Sequence, residues 1–336
     1  MAKVAVLGSG SWGTALAKVL AEKGDETHLW TRRSELADAV NASHLNEKYL
    51  PGARLPDCLV ASTDMKKVLS GADMVVFVAP SHATREVAKA AAPHIPENAY
   101  VVSATKGIEN ETLNFVDEIL EQELPPHVRK RLAYLSGPSF AKELAAHLPT
   151  AVVIASRDQD TCAHVMKRFH APYLRLYASD DVIGVECGGA LKNVIAIAAG
   201  AIDGLGLGHN TRAMLITRGL AEVARLSLKR GGSALTLAGL AGMGDLVLTC
   251  TGELSRNRTV GVELGKGKKL AQVLAGLGHV AEGVKTAKSA HDLSVKLDVD
   301  MPITREVYAV LYEDKSVDKA VVDLMSRDLV KEFEHA

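Results

Sequence analysis

Cysteine is scarce in this chain, charge is nearly balanced and no apolar run reaches membrane-spanning length; each shortage removes a class of function. Four cysteines in 336 residues, Cys58, Cys162, Cys187 and Cys250, lie far apart and form no C-x-x-C, which argues against a zinc ribbon or a disulfide framework. Buried reduced thiols are expected. A formal net charge of −1 offers no broad cationic face to nucleic acid, so any bound anion is small and held in a local basic pocket. The longest apolar stretch, Leu191 to Ile202, contains Lys192 and Asn193 and is shorter than the about 20 residues that cross a bilayer; it reads as a buried helix, with no membrane insertion. Neither a Walker A loop nor H-E-x-x-H nor another metal-ligand cluster occurs, which leaves phosphoryl transfer and metal-assisted hydrolysis unsupported; no metal is expected. After Lys3 only four apolar residues precede Gly8, too few for the core of a signal peptide, so a cytoplasmic location is expected.

With 47% hydrophobic residues, the chain can bury a large core and is expected to divide into two domains, 1–180 and 181–336. In the first, short apolar runs (Val4–Leu7, Thr27–Thr31, Met74–Ala79, Tyr100–Ser103, Leu132–Leu135, Ala151–Ala155 and Tyr173–Tyr177) alternate with amphipathic segments, the pattern of βαβ units and a parallel sheet. Beyond residue 181 helical periodicity takes over, over Asp181–Gly200, Thr211–Arg230, Leu270–Leu277, Thr286–Lys296, Thr304–Tyr312 and Ser316–Leu324. The expected fold is α/β, an N-terminal Rossmann-type doubly wound sheet followed by an all-α C-terminal domain.

The first run passes directly into Gly8-Ser9-Gly10-Ser11-Trp12-Gly13 and then an Ala/Leu-rich helix, the order of a dinucleotide fingerprint. Gly8 makes the turn, Gly10 lets a pyrophosphate approach the backbone, and Gly13 permits close packing of helix on strand. The helix N-terminus adds free N–H groups and a positive dipole end. After the second run, where an acidic residue would bind the 2′-hydroxyl of NAD, stand Arg32 and Arg33, which suit the 2′-phosphate of NADP(H), or else form a solvated basic turn. NADP(H) is therefore expected in preference to NAD(H). Lys106 follows the fourth run and reads either as a site lysine or as a turn lysine.

Lys192 lies in an otherwise small and apolar segment, where desolvation, and a second cation such as Lys106 nearby, would favour its neutral form and make it a usable proton donor and acceptor. A snorkelling surface lysine is the alternative. Asp245 could pair with Lys192, accept from a substrate hydroxyl, or merely make an Asx-turn. Ser255 reads as a helix N-cap, with Arg256 and Asn257 in the first turn, a site for a phosphate monoester.

These segments, together with Ser103–Glu109, Ser136–Ala141, Leu191–Val194, Asn210–Arg218, Gly242–Asp245 and Leu254–Asn257, resemble bacterial-type NAD(P)-dependent glycerol-3-phosphate dehydrogenase over nearly the whole chain. The resemblance implies interconversion of dihydroxyacetone phosphate and sn-glycerol 3-phosphate, for phospholipid synthesis. It implies cofactor contacts at Ser11, Trp12, Arg32, Arg33, Lys106, Ala141, Arg256, Val280 and Glu282. It implies substrate contacts at Lys106, Gly137, Ser139, Lys192, Asp245, Ser255, Arg256 and Asn257, with Lys192 as proton acceptor and Lys106 and Asp245 beside it in catalysis. A homodimer is left open. The main rival, a β-hydroxyacid dehydrogenase, carries a polar residue four positions after its lysine, where this chain has Ala196. A regulator that binds NADP(H) without chemistry would have no use for the buried lysine, Asp245 and phosphate turn.

Overall fold

All seven apolar runs form strands, and three more strands appear between the second and third of them. In chain order these are β1 (Lys3–Leu7), β2 (Glu26–Trp30), β3 (Leu45–Asn46), β4 (Leu50–Arg54), β5 (Leu59–Ser62), β6 (Met74–Phe77), β7 (Tyr100–Ser103), β8 (Leu132–Ser136), β9 (Thr150–Ala155) and β10 (Leu174–Ser179). The computed structural model describes residues 2–277, 281–329 and 331–332. Its chain forms two units, one of residues up to Lys106 with Val116–Val182, the other of Gly107–Phe115 with residues from Ile183 onward.

In the first unit eight strands make one sheet, β10-β9-β8-β7-β6-β1-β2-β5, with β3 and β4 a separate antiparallel pair. From β5 to β8 the neighbours are parallel, in the order of dinucleotide-binding doubly wound sheets, whose strand order reverses between β1 and β6. Val4–Leu7 and Met74–Phe77 are fully buried, which is why both read as unbroken apolar runs. The expectation of a parallel sheet fails at one place: β9 is antiparallel to β8, with Leu135 opposite Ile154, and β10 follows β9. The only helix between β8 and β9, Ala141–Ala145, has five residues, too few for the crossover that a parallel neighbour requires. The chain reverses instead.

The second unit is helical, as its periodicity indicates. Helices α1 (Ser11–Glu22) and α2 (Ser34–Ser43) belong to the first unit. The second contains most of α3 (Val182–Leu205), then α4 (Gly208–Lys229), α5 (Asp245–Thr251), α6 (Arg256–Gly265), α7 (Glu282–Leu297), α8 (Pro302–Tyr312) and α9 (Val317–Met325). By length and composition α3 could cross a membrane, yet 89% of its most apolar window is buried inside the protein. The segment Gly107–Phe115 joins this unit through its core residues Ile108 and Phe115, and the Arg230 guanidinium lies 3.9 Å from the Phe115 ring centre.

Glu222 on α4 is 1% exposed and accepts from the Ile303 and Thr304 amides and the Thr304 hydroxyl, at the start of α8. Burial pushes its carboxyl up to about 7, against the pull of these donors and of Arg225. The folded value lies above the unfolded one, so its contribution to stability is complete below the ordinary carboxyl range and is lost as pH rises toward 7. Melting temperature followed against pH should therefore contain a falling component over this window that Glu222→Gln removes. Parallel curves for the two proteins would show that Glu222 does not titrate there.

Candidate functional site

In the first unit the turn after β1 is shaped by missing side chains. Gly8 has φ +137°, and a Cβ on it would lie 2.6 Å from the Val78 carbonyl oxygen at the end of β6; one on Gly13 would lie 1.9 Å from the Gly8 oxygen. Both glycines are therefore needed for the backbone to fold back onto the sheet. A Cβ on Gly10, by contrast, would meet nothing within 4 Å. Gly10 is the N-cap of α1 and no side chain caps it, so the helix end faces open space with donors to spare. Trp12 Nε1 is buried without a hydrogen-bond partner among the described residues. Open room, uncapped amides and a spare indole donor fit the phosphates of a dinucleotide.

The loop is braced by residues that sequence reasoning missed. Asn46, fully buried, donates to the Ser9 carbonyl at 3.0 Å and to Thr14 Oγ1 at 2.8 Å, and the Ser11 hydroxyl donates to the Tyr49 carbonyl at 2.5 Å. Both partners lie in or beside the β3–β4 pair, which no periodicity announces.

Other expected residues line up at the carboxyl ends of parallel strands. Arg32 and Arg33 follow β2, are exposed, and their guanidiniums make no ion pair or hydrogen bond among the described residues. Thr105, after β7, donates to the Ala79 carbonyl beyond β6 at 2.8 Å, and Lys106 Nζ reaches the Gly137 carbonyl beyond β8 at 3.5 Å. The Ser139 hydroxyl donates to that same carbonyl at 3.1 Å. Ala141 opens the short helix that follows. Lys106, Gly137 and Ser139 are thus gathered at one place.

In the second unit Lys192 and Asp245 form an ion pair, with the lysine residue 8% and the aspartate 1% exposed. Gly188 stands one turn before Lys192 on the same face of α3, and a Cβ there would lie 2.3 Å from the Ala241 carbonyl oxygen. Its bareness lets the π-helical turn Leu240–Gly244 come against α3 and deliver Asp245, the first residue of α5, to the lysine. Asp245 thus makes a helix start rather than a free Asx-turn. The Thr249 hydroxyl donates to the Asp245 carbonyl at 2.6 Å. Buried carboxylate opposes the desolvation that disfavours a buried ammonium. Burial pushes the neighbouring Cys250 thiol up to about 12, with Asp245 adding to the effect, so it stays protonated and is no nucleophile.

Ser255 caps α6 as its sequence indicates, accepting from the Arg258 amide at 3.2 Å. Arg256 is exposed, without an ion pair or hydrogen bond among the described residues. Asn257 is buried and largely engaged: its amide donates to Asn193 Oδ1 at 2.9 Å and its oxygen accepts from the Gly283 amide at 3.0 Å. One of its N–H groups is left. Glu282 opens α7 beside this junction; Val280 lies outside the described residues.

Helices α3 and α6 meet backbone to backbone. A Cβ on Gly261 would lie 1.9 Å from the Ile197 oxygen, one on Gly265 2.3 Å from the Ala201 oxygen, one on Gly200 2.0 Å from the Arg258 oxygen, and one on Gly204 2.3 Å from the Val262 oxygen. With Asn257 on Asn193, the contacts advance together along both helices, which therefore run parallel. Gly188, Lys192, Ala196, Gly200 and Gly204 form one row on α3, each four residues from the next. Ala196 is fully buried in this row, a place for packing rather than polar chemistry.

Residues 3–162 match the family description "NAD-dependent glycerol-3-phosphate dehydrogenase N-terminus" and residues 181–322 the corresponding C-terminus. The chain is 54% identical over 330 residues to glycerol-3-phosphate dehydrogenase [NAD(P)+] of Leptospira biflexa, covering 98% of this chain and 99% of the relative. It is 52% identical to the enzyme of that name from Geobacter sulfurreducens, covering 98% of each. Among solved structures, glycerol-3-phosphate dehydrogenase from Coxiella burnetii superposes with a TM-score of 0.93 at 42% identity, over 97% of this chain and 99% of that one.

Proposed function

Since the chain belongs to the NAD-dependent glycerol-3-phosphate dehydrogenase family, we propose that it interconverts dihydroxyacetone phosphate and sn-glycerol 3-phosphate by the residues described above, with NADP(H) preferred, and supplies glycerol 3-phosphate for phospholipid synthesis in the cytoplasm. The buried Lys192–Asp245 pair carries this reading. It is a proton-bearing group kept out of water and aimed by a fixed carboxylate, which a reversible carbonyl reduction requires.

The bound nicotinamide supplies the hydride that C2 of the substrate accepts or returns. The Gly8–Gly13 turn and the α1 amides hold the pyrophosphate, Ser11, Trp12 and Ala141 border the cofactor, and Lys106, Gly137 and Ser139 orient the reacting end. Lys192 Nζ gives its proton to the ketone oxygen in reduction and takes it back from the hydroxyl in oxidation. Asp245 keeps the lysine charged and aimed between turnovers. Ser255, Arg256 and the remaining N–H of Asn257 grip the phosphate at the start of α6, and this binding energy fixes C2 for reaction. By the family resemblance Arg256 and Glu282 would also contact the cofactor.

Steady-state rates with dihydroxyacetone phosphate and each reduced cofactor in turn test the reaction; failure with both reopens the β-hydroxyacid reading. The free Arg32 and Arg33 guanidiniums support NADP(H). Replacing either by Ala should raise KM for NADPH about tenfold, the loss of one charge-assisted bond, and leave KM for NADH within about twofold. A wild-type preference of tenfold or more for NADH overturns the assignment.

A further inference from the structure

Arg256 and Arg258 stand two residues apart at the start of α6 and are treated oppositely by their surroundings. Asp203, near the end of α3, takes Arg258 in a two-pronged grip, Nε at 2.9 Å and Nη2 at 2.7 Å on one carboxylate oxygen, while its other oxygen accepts from Arg212 at 3.0 Å. Arg212 in turn meets His209 Nδ1 at 2.8 Å. All three charged side chains are mostly buried, at 16%, 22% and 23% exposure. Arg256 is left exposed, with no such partner among the described residues. We infer that Asp203 is a positioning residue for the substrate phosphate: it ties Arg258 and Arg212 back onto α3 and leaves Arg256 as the uncommitted cation on the first turn of α6.

The inference rests on the proposed phosphate grip at Ser255, Arg256 and Asn257. The tether fixes the first turn of α6, whose Arg258 amide is also bound by the Ser255 cap, so the amides and Arg256 keep one geometry. The backbone contact of Gly200 and Gly204 with Arg258 and Val262 makes this reach possible.

The test is kinetic, on the intact chain. Asp203→Asn should raise KM for dihydroxyacetone phosphate about tenfold, the effect of losing one charge-assisted contact, with kcat and KM for NADPH within about twofold. Arg258→Gln should do the same, and the double variant should be no worse than either single one, because both act through one contact. If Asp203 acted only through its charge, its removal would strengthen attraction of the dianion and KM would fall; that result overturns the inference. So does an unchanged KM, or a common worsening of kcat and both KM values, which marks general loosening. Arg256→Ala measured alongside separates the two levels. A large rise in KM there with none in Asp203→Asn removes only the tether. No rise in Arg256→Ala removes the grip itself and the inference with it.

Discussion

Lys192→Ala should lower kcat by about 10²–10⁴-fold, the usual worth of a positioned proton donor, while NADPH titrates the protein as before. The cofactor contacts proposed for the Gly8–Gly13 turn and Arg32–Arg33 all lie in the first unit, so removing an ammonium from α3 leaves them intact. The variant also removes the ion-pair partner of the Asp245 carboxylate, which is 1% exposed, and stability should fall by about 3–5 kcal/mol, the usual cost of breaking a buried ion pair from one end. Stability and catalysis can be separated by pairing Lys192→Met with Asp245→Asn. Two neutral groups of similar volume remove both charges, so the melting temperature should recover and the activity should not. Retention of more than a tenth of wild-type kcat by folded Lys192→Ala would end the assignment of Lys192 as proton donor.

Asp245→Asn alone should act through charge rather than space. The amide keeps the shape of the side chain but removes the anion that favours a buried ammonium, so Lys192 loses its proton at lower pH than in the wild type. The two directions of the reaction should respond with opposite sign. Reduction needs the charged lysine, so the pH above which it fails should move down. Oxidation needs the neutral lysine and should be relatively spared at low pH. Against this, a uniform loss of rate at every pH in both directions would assign Asp245 to orientation alone. Such pH–rate profiles report the free enzyme when taken as kcat/KM, which is the quantity to compare.

Much of this arrangement is written locally and was legible. The Gly8–Gly13 turn, the seven main strands and the Ser255 cap are each set by a few consecutive residues whose period or conformation has one outcome. The hidden part depends on contacts between distant segments. Nothing near Asn46 signals that its side chain braces the Ser9 carbonyl; β3 has only two residues, and Pro51 and Gly52 inside β4 break any alternation there. The reversal at β9 follows from what lies between β8 and β9, not from either strand. The placement of Gly107–Phe115 in the second unit could be suspected only from Ile108, Leu113 and Phe115, three apolar residues in a polar segment. Asp203 and Arg258 read as ordinary helix-surface charges, because their pairing depends on how closely two helices approach.

That approach has a consequence of its own. Along α3 and α6 the contact surfaces include peptide carbonyls and the empty places of four glycines, so the separation of the two axes is set by bond lengths and van der Waals radii rather than by the volumes of interlocking side chains. Ordinary cores can absorb a substitution by repacking. This seam has no side chain of its own to yield at those four points, and any added methyl must move an entire helix. Lys192 rides on one of these helices and Arg256 begins the other. The span between the proposed proton donor and the proposed phosphate grip is therefore a ruler with main-chain divisions, whose length drift elsewhere in the core leaves unchanged.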